Sequence, residues 1–174
     1  MLSLNINKRS MKKLISKKGF TLIELLVVIG IIAILAAIAI IAINPARQFA
    51  QARNAQRWND VNALLNAVHQ QAVDNNGQIY ADIDSTRQMI GTSGANDCDV
   101  TCADSVVTEA ACLDLTDALV PKYVTSIPYD PSDPYAAAIT GYYVTKNAST
   151  GRVTVGACTP EKIDEVAPDI SVSR

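Results

Sequence analysis

The chain has 174 residues and a mass of 18.6 kDa, a length that one domain accounts for. Its residues are 49% hydrophobic with only six Tyr, two Phe and one Trp, so the apolar mass is aliphatic, and 21 of the 24 residues from Phe20 to Ile43 are apolar; this argues against a purely cytosolic globular protein. The net charge of −2 hides a division between six cations with no acid before Phe20 and nine cations against seventeen acids from Phe20 onward, and the acidic remainder repels phosphate, which argues against nucleic acid as its partner.

The first segment, residues 1–19, is basic, carrying Lys8, Arg9, Lys12, Lys13, Lys17 and Lys18. Cations beside an apolar span stay on the cytoplasmic side, which predicts a cytoplasmic N-terminus and an exported remainder. The run that follows, residues 20–43, is broken only by Thr21, Glu24 and Gly30. A helix of that length crosses a hydrocarbon core of about 30 Å at about 1.5 Å per residue. A cleaved secretory signal has a shorter apolar stretch, about 7–15 residues, and Asn44-Pro45-Ala46-Arg47 makes a poor cleavage site after this one. A plain membrane anchor explains the length and the flanks but not Glu24, since an acid in an apolar span is costly unless interfacial or paired.

The stretch Lys17-Lys18-Gly19-Phe20-Thr21-Leu22-Ile23-Glu24-Leu25-Leu26-Val27-Val28-Ile29 closely resembles the class III signal of type IV pilins and of the pseudopilins of type II secretion. The resemblance covers roughly thirty residues. It implies that prepilin peptidase cuts between Gly19 and Phe20, that the new Phe20 amine is N-methylated, and that the apolar stretch is retained. It also implies an α+β, pilin-like fold, a long N-terminal helix packed on a small antiparallel sheet head domain. Glycine before the scissile bond lets the backbone enter a tight protease site without a Cβ clash. After cleavage Glu24 lies one helical turn from the Phe20 amine, within pairing distance of an ammonium. The family places this glutamate against the amine of a neighbouring subunit, so Glu24 is expected to be the assembly residue, favouring one register over slipped ones. Two features depart from the family pattern. Ile41 stands where many pilins have proline, which moves any loosening of the helix toward Gly30 or Pro45, and Met11 offers a second start that would give a short basic leader.

Beyond the run, residues 44–76 read as an amphipathic continuation of the helix. Trp58, Val61, Leu65, Val68 and Ala72 form an apolar stripe, with Arg57, Asn59, Asn62, Asn66 and Gln70 off it, and Asn75-Asn76-Gly77 is a stop signal. The head is then residues 77–174. Residues 78–112 are polar and turn-rich and read as an irregular loop, and residues 113–120 as a short helix ended by Pro121. Residues 141–146 and 152–156 are β-branched and aromatic, and read as strands of a hairpin joined by Asn147-Ala148-Ser149-Thr150-Gly151. The proline-rich stretch 119–131 before them resembles the crossing in major pseudopilin heads. A pseudopilin of that kind can hold calcium nearby, which makes Asp130 and Asp133 the candidate oxygen ligands, although two loop acids are more often solvated and no metal is the leading expectation.

Cys98, Cys102, Cys112 and Cys158 all fall on the predicted exported side, where an even count favours disulfides, and four cysteines allow three pairings. The resemblance favours Cys98 with Cys102 and Cys112 with Cys158, since C-terminal loops are tied down in many pilins. Their spacing matches no zinc pattern. His69, the one histidine, has no serine or cysteine near it in sequence and reads as a satisfied surface side chain rather than a general base. Asp97-x-Asp99 lacks the rest of a calcium loop. Arg47, Arg53 and Arg57 are candidates for DNA, but more readily for lipid headgroups or a neighbouring subunit's acids.

The resulting expectation is a non-enzymatic structural subunit of a type IV pilus-like filament, without a cofactor. Its expected partners are prepilin peptidase, identical or related pilin subunits, an inner-membrane assembly platform and membrane lipid. It starts as a single-pass inner-membrane protein and ends in an extracellular or periplasmic filament. The alternatives are a major pseudopilin of type II secretion, a minor DNA-uptake pilin, and an anchored enzyme.

Overall fold

The computed structural model describes residues 19–94, 98, 102, 107 and 111–174. The six cations before Phe20, Met11, and Asn96, Asp97 and Asp99 lie outside the described residues. The chain divides into two compact units, Met1–Ile43 and Asn44–Arg174.

In the first unit, helix α1 runs Leu22–Ile43. Its 22 residues span about 33 Å, enough to cross a bilayer core. None of its side chains is buried, and its large apolar ones are 45% to 81% exposed. A helix that is apolar on every face needs lipid or other helices around it. α1 is therefore a candidate membrane anchor.

In the second unit, helix α2 runs Pro45–Asp74. The long helix, expected to be interrupted or kinked near Pro45, is divided at Asn44, whose backbone is left-handed (φ 45°) and whose side chain caps α2 by accepting from the Arg47 N–H at 3.4 Å. Asparagine tolerates that conformation better than most residues, and Pro45 suits the first helical position, where no N–H is needed. The stop at Asn75 to Gly77 closes as its sequence suggests: the Asn75 N–H bonds back to Gln71 and Ala72, Gly77 N–H reaches the Ala72 carbonyl at 2.8 Å, and Asn76 and Gly77 are left-handed.

A short helix α3, Thr116–Leu119, follows with its C-cap at Val120. Four antiparallel strands form a sheet in the order β1 (Gln88–Met89), β2 (Tyr142–Lys146), β3 (Val153–Ala157), β4 (Ser171–Ser173). β2 and β3 are the expected hairpin, with Val144 opposite Val155. Two strands were not expected. β1 lies inside the stretch read as irregular loop, and β4 near the C-terminus; with two and three residues they are too short to show periodicity. The architecture is a long N-terminal apolar helix followed in the chain by a small antiparallel sheet, an α+β arrangement.

Tyr142, Val144, Val153, Val155 and Ala157 alternate along the hairpin onto one face, where they form a core with Val61, Leu64, Leu65 and Val68 of α2 and with Leu115, Leu119 and Ile170. Each fully buried aliphatic side chain contributes about 1.5–3 kcal/mol. Opposite them, Tyr143 joins Met89, Cys98, Cys102, Val107 and Cys158 in a second cluster. Tyr143 pairs with Gly156 across the ladder, and a Cβ at Gly156 would lie 2.5 Å from its ring, which explains a glycine in mid-strand.

The stripe on α2 is shifted from its expected composition. Val61, Leu65, Val68 and Ala72 are buried, but Trp58 is 38% exposed and Arg57, placed off the stripe by its charge, is fully buried. Position 57 is one turn before Val61 and shares its face; the charge is tolerated there because a partner carboxylate is supplied by another element.

Candidate functional site

Helix α1 begins with a capping box. Thr21 is the cap: its Oγ1 accepts from the Glu24 N–H at 3.2 Å, and its carbonyl accepts the first helical bond, from Leu25. The Glu24 carboxylate folds back and accepts from the Thr21 N–H at 2.9 Å and from the Thr21 hydroxyl at 2.6 Å. Both bonds fall on Oε2, so Oε1 keeps its capacity to accept. A carboxylate in the first turn is further favoured by the helix dipole. The box is legible in the sequence as Thr21-x-x-Glu24 before an apolar run, a signal that reasoning about charge pairing alone had passed over.

Gly19 and Phe20 precede the helix in non-helical backbone, both exposed, with Phe20 85% accessible. A Cβ on Gly19 would meet nothing within 4 Å. The chain's own packing therefore makes no demand for glycine at this position. An exposed bond before an ordered helix, with a carboxylate three residues beyond Thr21, is chemically suited to proteolysis and to receiving an ammonium group.

The second polar cluster lies in the Asn44–Arg174 unit and ties α2 to the rest of it. Arg57 donates through Nε and Nη2 to the two oxygens of Asp130, at 2.6 and 2.8 Å, and through Nη1 to Asn54 at 2.7 Å; the Arg57 and Asp130 side chains are both fully buried. Asp130 also accepts from the Ser132 N–H at 2.9 Å. Arg53 holds Glu161 in a two-pronged pair, with Nη2 to Oε2 at 2.7 Å, and this contact draws the Glu161 carboxyl below its ordinary pKa. Arg47 meets Asp164 at 2.9 Å.

Four expectations are corrected here. The arginines considered for DNA, lipid or a neighbour's acids are engaged with acids of their own chain, which lie far away in sequence. Asp130, a candidate calcium ligand, has both oxygens committed to Arg57 and is sealed from solvent, while Asp133 is exposed. Among the described residues no group of three or more potential ligands gathers. The cysteines are paired otherwise than expected: Cys98 with Cys112 and Cys102 with Cys158, at Cα separations of 5.5 and 4.7 Å. The end of the hairpin is fastened as anticipated in kind, but to Cys102; the N–H of Cys112 bonds the Ser93 carbonyl at 3.2 Å, which holds Cys112 back beside Cys98's end of the loop. His69 also differs, being half-buried with an Nε2 that has no hydrogen-bond partner among the described residues.

Residues 15–40 match the family model described as the prokaryotic N-terminal methylation motif. Neither the curated proteins nor the solved structures give a match to the chain. The matched segment contains Gly19, Phe20, Thr21 and Glu24 and most of α1, and the chain carries the class III signal of type IV pilins and pseudopilins.

Proposed function

We propose that the protein is a structural subunit of a type IV pilus-like filament. Prepilin peptidase cuts between Gly19 and Phe20, the Phe20 amine is methylated, and the subunit waits in the inner membrane on α1 until an assembly platform extracts it. In the filament the α1 helices of identical or related subunits bundle, exchanging lipid contacts for protein contacts, and residues 77–174 lie toward the outside. The observation that carries this reading is α1 itself, apolar on every face yet opened by a fixed carboxylate beside an exposed Gly19-Phe20 bond. A carboxylate carried into such a bundle is tolerated when an ammonium meets it, and Oε1 of Glu24, which takes neither bond from Thr21, is the atom we assign to a neighbour's Phe20 amine.

The proline-rich crossing from Leu119 to Pro131 supports a second reading, a major pseudopilin of type II secretion. DNA capture is weakly supported, since its candidate arginines are internally paired. The test is Glu24→Ala in cells: processing at Gly19 continues while filament growth stops. Normal filaments from this variant would refute the assembly role. Fibres sheared from the cell surface indicate a pilus, and protein confined to the periplasm a pseudopilin.

A further inference from the structure

We propose that Asn147 is the acceptor of an N-linked glycan. The chain contains one Asn-x-Ser/Thr triplet with a middle residue other than proline, Asn147-Ala148-Ser149. A triplet alone recurs by chance, and most such triplets on strands or under loops are inaccessible. This one occupies the tip of the β2–β3 hairpin, where residues 147–150 are all exposed. The tip is also folded. Asn147 Oδ1 accepts the N–H of Ser149 at 3.0 Å and of Thr150 at 2.9 Å, an Asx turn that brings the carboxamide beside the residue bearing the required hydroxyl. The ends of the loop are fixed by Asn147 N–H to the Arg152 carbonyl and Gly151 N–H to the Asn147 carbonyl, both 2.8 Å. Every bond that the Asn147 carboxamide makes among the described residues uses its oxygen, so Nδ2 is available without breaking a structural contact.

The co-reactant is a polyprenyl-diphosphate-linked oligosaccharide. Nδ2 attacks the anomeric carbon, the new C–N bond forms as the C–O bond to the diphosphate breaks, the amide proton passes to a base of the transferase, and the lipid diphosphate leaves. No electrons are exchanged. A glycan at this position would coat the surface of the second unit without displacing any buried side chain.

The proposal rests on the reading that the residues after Ile43 are exported, so the experiment measures both. Full-length protein is isolated from its own cells, the Asn147 peptide is analysed by mass spectrometry, and protease is applied from outside to spheroplasts of the same culture. The expected result is a protease-accessible second unit whose Asn147 peptide carries a saccharide mass. That mass is lost in Asn147→Gln and in Ser149→Ala and kept in Ser149→Thr. Ser149→Ala retains the backbone N–H that bonds Asn147, so loss of the glycan there does not reflect loss of the turn. An accessible second unit with unmodified Asn147 would overturn the proposal, as would a saccharide that persists in Asn147→Gln and so sits on Ser149 or Thr150. A second unit shielded from outside protease would remove the export reading and the proposal with it.

Discussion

Glu24 performs two tasks that a single substitution confounds. It closes the capping box on Thr21, and in the proposed filament it receives a neighbour's amine. Glutamine at this position can still cap, since capping boxes accept Gln as well as Glu, but it carries no charge. Glu24→Gln is therefore expected to leave the start of α1 ordered and to block assembly as completely as Glu24→Ala, read by imaging of filaments; filaments from Glu24→Gln would mean that capping, not charge, is what assembly requires. Arg57 raises the opposite issue, a charge buried beside its partner. Arg57→Met leaves Asp130 buried and uncompensated, which costs about 3–5 kcal/mol. That corresponds to a thermal midpoint lower by roughly 10 °C in the detergent-solubilised chain, and Arg57→Met with Asp130→Leu recovers much of it. Glu161 contributes to the acid limb of stability, as does Asp74, whose carboxyl is held down by Lys122 and Tyr123. The Glu161 carboxyl is held below its ordinary pKa by Arg53, so its contribution is present above the ordinary carboxylate value of about 4.3 and disappears as the pH falls through the lowered folded value. Asp60 acts in the other sense, because burial raises its pKa and protonation then favours the folded state. Glu161→Gln is accordingly less stable than the parent at pH 7, and the difference closes below pH 4 in parallel melting curves. The cap was readable in four consecutive letters, whereas Arg57 was read as outward because its acid lies 73 positions away.

The helices and the central hairpin were legible because each is long enough to carry a period. α1 has an unbroken apolar run, α2 a stripe that holds from Val61 to Ala72, and β2 and β3 a β-branched and aromatic alternation around a turn. What escaped was set by partners rather than by local pattern. β1 owes its place to the ladder of β2, and β4 to that of β3. Disulfide connectivity is of the same kind, since it depends on which loops approach. The bonds close spans of 14 and 56 residues, so the chain-entropy account assigns about 3 kcal/mol to Cys98–Cys112 and about 4 kcal/mol to Cys102–Cys158. Non-reduced peptide mapping is expected to recover these two links, and the Cys102→Ser, Cys158→Ser pair to lower the midpoint more than the Cys98→Ser, Cys112→Ser pair. Peptides linking Cys98 to Cys102 would restore the pairing suggested by resemblance.

For the chain as a whole, the near-neutral net charge is a sum of two unlike parts: six cations and no acid before Phe20, and an acidic remainder. In the proposed processing, loss of residues 1–19 leaves a chain that keeps α1 and is clearly anionic. Its arginines at 47, 53 and 57 are paired within the chain with Asp164, Glu161 and Asp130. In the proposed function the chain is cut at the motif and keeps α1. The most direct measurement is intact and N-terminal peptide mass spectrometry of the protein from membranes and sheared fibres. A chain that begins at N-methylated Phe20 and retains α1 is expected; a mature protein that still carries Gly19 and the residues before it, or that has lost α1, would contradict the proposed processing.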